Sequence, residues 1–76
     1  MIIKILGTGC SKCDKLEENA KKAVKELGID ATVEKISDIR EMVAYGVMQT
    51  PSLVVDDEVK VVGKVISSEE IKKYLR

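Results

Sequence analysis

The spacing of apolar residues changes period at Gly7. Before it, Ile2 to Leu6 is a nearly continuous apolar run, interrupted only by Lys4. Such a run, ended by a glycine, predicts a strand buried on both faces and so central in a sheet. Lys4 is expected to reach out at its end. Beyond the loop that Gly7 and Gly9 make, Cys13, Leu16, Ala20, Ala23, Val24 and Leu27 follow a three-and-four spacing. That is the apolar stripe of an amphipathic helix, and Gly28 is placed to end it. A buried strand feeding directly into such a helix commits the chain to an α/β arrangement, because helix and strand must cover each other's apolar surface.

The rest of the chain extends this pattern. Thr32 to Ile36 is a β-branched stretch with interleaved charge, expected as a strand at a sheet edge. Asp38 with Glu41 three residues on reads as a capping box. Ile39, Met42 and Val43 are expected to form the apolar face of a short second helix, closed by Gly46. Ser52 to Val55 and Val59 to Val62 flank a turn at Asp56-Asp57-Glu58 and predict an antiparallel hairpin. Ser67 with Glu70 is a second capping box, with Ile66 and Ile71 at the staple positions. Ile71, Tyr74 and Leu75 are expected to face the core from a last helix. The order is β-α-β-α-β-β-α, with the first two strands parallel through a right-handed crossover. The hairpin completes a four-stranded mixed sheet, and residues 1–76 form one domain.

Composition narrows the function. Thirteen basic and thirteen acidic side chains give a formal net charge of zero, and both halves of the chain are balanced. No basic region is present to bind nucleic acid or an anionic membrane. The lysines at 21, 22 and 25 are interleaved with Glu17, Glu18 and Glu26, as on a solvated helix face. No apolar run approaches membrane-spanning length, and the first residues do not read as a signal peptide. A cytoplasmic location and a monomer are the expectations. With Tyr45 and Tyr74 as the only aromatic residues, the core must be aliphatic.

The only two cysteines lie in Gly-Thr-Gly-Cys-Ser-Lys-Cys, residues 7–13. Cys13 falls on the helix stripe and is expected to be shielded. Cys10 falls off it, in the loop or first turn, and is expected to be accessible. An i, i+3 pair at a helix start brings two Cα atoms to about 5–6 Å, within reach of a disulfide. Unpaired first-turn N–H groups and the nearby Lys12 cation favour a thiolate at Cys10. Three readings follow from the residues. A structural staple would close a very short loop and constrain the unfolded chain little. A soft-metal carrier or sensor could use two thiolates, but the chain has no histidine and one copy lacks four ligands for zinc. A redox dithiol fits a reducing compartment.

Pro51, the only proline, stands just before the third strand, a permitted place for a strand breaker. Taken with the CxxC pair and the element order, Thr50-Pro51 completes a pattern that resembles the thioredoxin superfamily over the whole chain. In length the chain is similar to a glutaredoxin. Its Gly-Thr-Gly-Cys-Ser-Lys-Cys start resembles the small thioredoxin-like redox-active disulfide proteins of archaea and bacteria. The resemblance implies a thioredoxin-like fold with helices on both faces of the sheet. It implies thiol–disulfide oxidoreductase activity on protein disulfides, with Cys10 as nucleophile and Cys13 as resolving thiol. It also implies a cis-proline at Pro51, with Thr50 offering backbone hydrogen bonds to a bound substrate strand. No metal or organic cofactor is implied beyond a Cys10–Cys13 disulfide. The electron donor would be a thioredoxin reductase or a low-molecular-weight thiol. The chain departs from the thioredoxin pattern in carrying Gly9 rather than an aromatic residue before the first cysteine, and from the glutaredoxin pattern in carrying Ser11-Lys12 between the two cysteines and Gly63-Lys64 where glutaredoxins have a double glycine. A glutathione-linked glutaredoxin is the nearest alternative function, and a soft-metal protein the alternative from another class.

Overall fold

Two hydrogen-bonded ladders flank β1 (Ile2–Leu6), which makes it a central strand. The computed structural model describes residues 1–7 and 11–75. Along the chain follow α1 (Ser11–Leu27), β2 (Thr32–Ile36), α2 (Ile39–Ala44), β3 (Ser52–Val55), β4 (Glu58–Val62) and α3 (Ser68–Leu75). The sheet order is β2-β1-β3-β4. β1 runs parallel to β2, with Ile3 opposite Val33 and Ile5 opposite Lys35. β3 runs antiparallel to β1, and β4 antiparallel to β3. This is the four-stranded mixed sheet that the sequence pattern predicts, with β2 at an edge.

Side-chain alternation along β1 sorts the two faces. Ile3 and Ile5 join Leu16, Ala20 and Ala23 of α1, Ile71 and Leu75 of α3, and Leu53, Val55 and Val61 of the hairpin. Leu6 joins Val54, Met42 of α2 and Val47 on the other face. Two helices therefore cover one face and α2 the other. Both clusters are aliphatic apart from Tyr45, which packs against the smaller one. Each fully buried Leu or Ile contributes about 1.5–3 kcal/mol of transfer free energy.

The turns follow local chemistry. Asp56 and Asp57 adopt φ of 48° and 67° between β3 and β4. That is the left-handed pair a two-residue hairpin loop demands, and Asp tolerates it better than most residues. β4 thus begins at Glu58, one residue earlier than the pattern predicts. A register shift opposite Leu53 and Val54 leaves Lys60 as an extra residue in β4, a β-bulge on the edge strand. The Ser67 hydroxyl accepts from the Glu70 N–H at 3.3 Å, as an N-cap should.

Three expectations are corrected. Ile39 and Val43 are exposed at 66% and 62%, so Met42 alone anchors α2. That helix has six residues, fewer than two turns, so one buried side chain fixes it and the other two point to water. Tyr74 is 42% exposed. Ile71 and Leu75, four apart, already hold the buried stripe of α3, and Tyr74 lies at its flank. Asp38 caps α2 by accepting from the Arg40 N–H at 2.9 Å and from the Arg40 guanidinium, which also holds its carboxyl below the usual range. The carboxylate is thus committed to Arg40, and the 38–41 capping box is not made as read.

Candidate functional site

β1 ends at Leu6, and the N–H of the next residue, Gly7, donates to the Ile36 carbonyl at 2.9 Å. This bond extends the β1–β2 ladder by one step and brings the chain to the start of α1. Cys10, the expected nucleophile, lies outside the described residues. Cys13 is on the first turns of α1, fully buried and on the same stripe as Leu16, Ala20 and Ala23. Its sulfur lies directly over Gly7. A methyl group at Gly7 would overlap that sulfur and come within 2.8 Å of the Cys13 Cβ. Gly7 is thus more than a strand terminator: its missing side chain is the space the Cys13 thiol occupies.

The peptide bond between Thr50 and Pro51 is cis. Thr50 is exposed and Pro51 buried. The surrounding loop is held by its own hydrogen bonds. The buried Ser52 hydroxyl donates to the Gln49 carbonyl at 2.7 Å. The Gly63 N–H donates to the Pro51 carbonyl at 2.9 Å. Gly63 has φ of 72°, and a Cβ there would run into the Gln49 side chain. The segment after β4 is therefore locked to the proline segment before β3.

Lys12 is exposed. With Ser11 and Lys15 of α1 it forms one wall of an open groove of about 580 Å³, opposite Gly63, Lys64 and Val65. The start of α1 thus faces, across this groove, a segment that is itself hydrogen-bonded to Pro51 through Gly63.

Two further residues belong to the neighbourhood of Cys13. Lys35 of β2 forms an ion pair and hydrogen bond with Asp14, the residue after Cys13. This pairing raises the Lys35 ammonium above its ordinary value, and negative charge at Cys13 adds a smaller push in the same direction. The Lys35 ammonium and a Cys13 thiolate therefore attract one another. Sequence reasoning missed Lys35 because it is twenty-one residues from Asp14. The available signal was the alternation in β2: Val33 packs on the α1 side of the sheet, and Lys35, two residues on, shares that face.

The thioredoxin domain family matches residues 1–76. The chain belongs to the thioredoxin family. It is 53% identical to a thioredoxin of Methanothermobacter thermautotrophicus over 75 residues, covering 99% of this chain and 97% of that one. It is 49% identical to a thioredoxin of Methanocaldococcus jannaschii over 76 residues, covering 100% of this chain and 87% of that one. Both relatives are archaeal, and both match along nearly their whole length. No helix among the described residues is long and apolar enough to cross a membrane.

Proposed function

We propose that this protein is a dithiol reductase of protein disulfides. The observation that carries the reading is the placement of Cys13: buried on the first turns of α1 and seated on Gly7, with the next residue, Asp14, paired to Lys35. A shielded thiol three residues after a second cysteine suits a resolving role, because substrates meet the other sulfur first. The Cys10 thiolate attacks one sulfur of a substrate disulfide. A Cys10–substrate mixed disulfide forms, and the other substrate sulfur leaves as a thiolate that takes a proton from water. Cys13 then loses its proton, and its thiolate attacks the Cys10 sulfur. The second substrate sulfur leaves and is protonated. Two electrons have passed to the substrate, and the protein holds a Cys10–Cys13 disulfide. Thr50 offers its backbone to the substrate strand beside Pro51, and Lys12 favours the Cys10 thiolate. A thioredoxin reductase or a low-molecular-weight thiol returns the electrons. No further cofactor enters, and the protein works as a cytoplasmic monomer.

The test is a trap. Cys13→Ser, mixed with a disulfide substrate, should accumulate a covalent adduct through Cys10 that dithiothreitol releases. Cys10→Ser should form none. An adduct through Cys13 instead, or none with either variant, would overturn the roles assigned.

A further inference from the structure

We infer that the groove between α1 and the 63–65 segment receives the acidic flank of the substrate polypeptide, so that the protein prefers disulfides followed or preceded by Asp and Glu. This rests on the dithiol reading above and names its substrate class. Three lysines, Lys12, Lys15 and Lys64, line the groove, and no carboxylate does among the described lining residues. Of the carboxylates on this part of α1, Asp14 pairs with Lys35 and Glu17 with Lys21, while Glu18, exposed one turn on from Lys15, lies outside the groove lining. The three groove lysines make no ion pair among the described residues. A chain of zero net charge thus concentrates unpaired positive charge in one place, next to Ser11, the neighbour of Cys10 in sequence.

The position fits a flank. Gly63, on the far wall, is hydrogen-bonded to the Pro51 carbonyl, so this wall is held against the proline turn. A polypeptide with its disulfide at Cys10 would pass over this wall. Val65 and the lysine methylenes offer apolar contact to the chain, while the ammonium groups meet its carboxylates. The groove is open along its length rather than enclosed. Small ligands are usually buried over most of their surface, whereas an open groove with three separated cations suits a run of carboxylates on an extended chain.

The experiment uses the pre-reduced protein and three cyclic disulfide peptides that differ only in their flanks: three Glu, three Lys, or Gly-Ser-Gly. Single-turnover oxidation is followed by acid quench, alkylation and mass. At low ionic strength the Glu-flanked peptide should react about tenfold faster than the Lys-flanked one, the scale that charge steering supplies. Raising salt should erase most of that ratio. The double variant Lys15→Gln, Lys64→Gln should bring the Glu-to-Lys rate ratio close to one at low ionic strength. Equal rates on all three peptides, or a preference unchanged in the double variant, would overturn the inference. So would a lysine-dependent advantage seen with oxidised glutathione but not with the Glu-flanked peptide, which would make the groove a small-thiol site. If the neutral peptide is not reduced at all, the dithiol reading fails instead. The groove is then judged by amide shifts: a cysteine-free peptide with a Glu run should perturb residues 63–65 and 11–15, and silence there rejects it.

Discussion

Gly7→Ala tests the contact on which the site is built. The glycine φ at this position is not in the left-handed region, so alanine meets no backbone strain. What it meets is Cys13. The new methyl would overlap the sulfur and lie 2.8 Å from the Cys13 Cβ, whereas carbon pairs prefer about 3.5–4.0 Å. Helix α1 or the end of β1 must therefore shift by roughly 1 Å. Overpacking of this kind costs about 1–3 kcal/mol. Alanine also lowers the entropy of the unfolded chain, which returns about 0.4–1 kcal/mol. A net loss of about 1–2 kcal/mol should lower Tm by about 4–16 °C for a domain of this size. The assay is thermal and urea unfolding in excess reductant, repeated in a Cys13→Ala background. Without the sulfur, only the Cβ contact remains, so the cost of Gly7→Ala should shrink by about half or more. The difference between the two costs is the coupling between the positions, expected at about 0.5–1.5 kcal/mol. A Gly7→Ala protein as stable as the parent would refute the reasoning. So would an equal cost in both backgrounds.

Two further outcomes are expected from packing and charge. Ile71→Ala removes a fully buried side chain from α3 and should cost about 2–5 kcal/mol. The whole domain has about 4–11 kcal/mol by the usual per-residue range, so urea unfolding should show a large fall in midpoint, and an unchanged midpoint would contradict the assigned core. Glu26 of α1 meets Lys72 of α3 at 2.8 Å, and this contact holds its carboxyl below the ordinary value of 4.5. Its folded value is depressed, so its contribution is present above pH 4.5 and lost as pH falls through the folded value. Glu26→Gln should therefore be less stable than the parent at pH 7 and converge with it in acid. A gap of the same size at pH 7 and pH 3 would show that the charge is not what Glu26 supplies.

Much of this fold is legible because strand and helix periods differ sharply in the first twenty-seven residues. The run through Leu6 and the stripe from Cys13 to Leu27 fix β1 and α1, and the crossover rule then orients β2. The legibility fades where elements are short. Six residues in α2 span too few turns for spacing to say which of Ile39, Met42 and Val43 faces inward. That choice is made by Val47 and Tyr45, which close beneath Met42 on the smaller core. The capping signal at Asp38 is real, but a carboxylate beside Arg40 finds a charged partner closer than Glu41. In the site, Cys13 on the apolar stripe is readable from spacing alone. The Lys35–Asp14 pair and the fit of Gly7 to the sulfur are not, because each depends on register between distant segments. The groove likewise joins lysines from positions 12, 15 and 64, which only the fold brings together.

The bulge at Lys60 bears on colloidal behaviour. A chain with zero net charge has little long-range repulsion to keep copies apart, and proteins in that state tend to associate. Protection must then be local. β4, one open edge of the sheet, is five residues long and bulged, and Lys60 pairs with Glu58 along it. β2, the other edge, is equally short and carries Glu34 and Lys35. Neither edge offers a long, flat, apolar row of backbone groups for another chain to extend. The irregular register of the hairpin thereby shortens the run of regular backbone that a second copy could pair with at this edge.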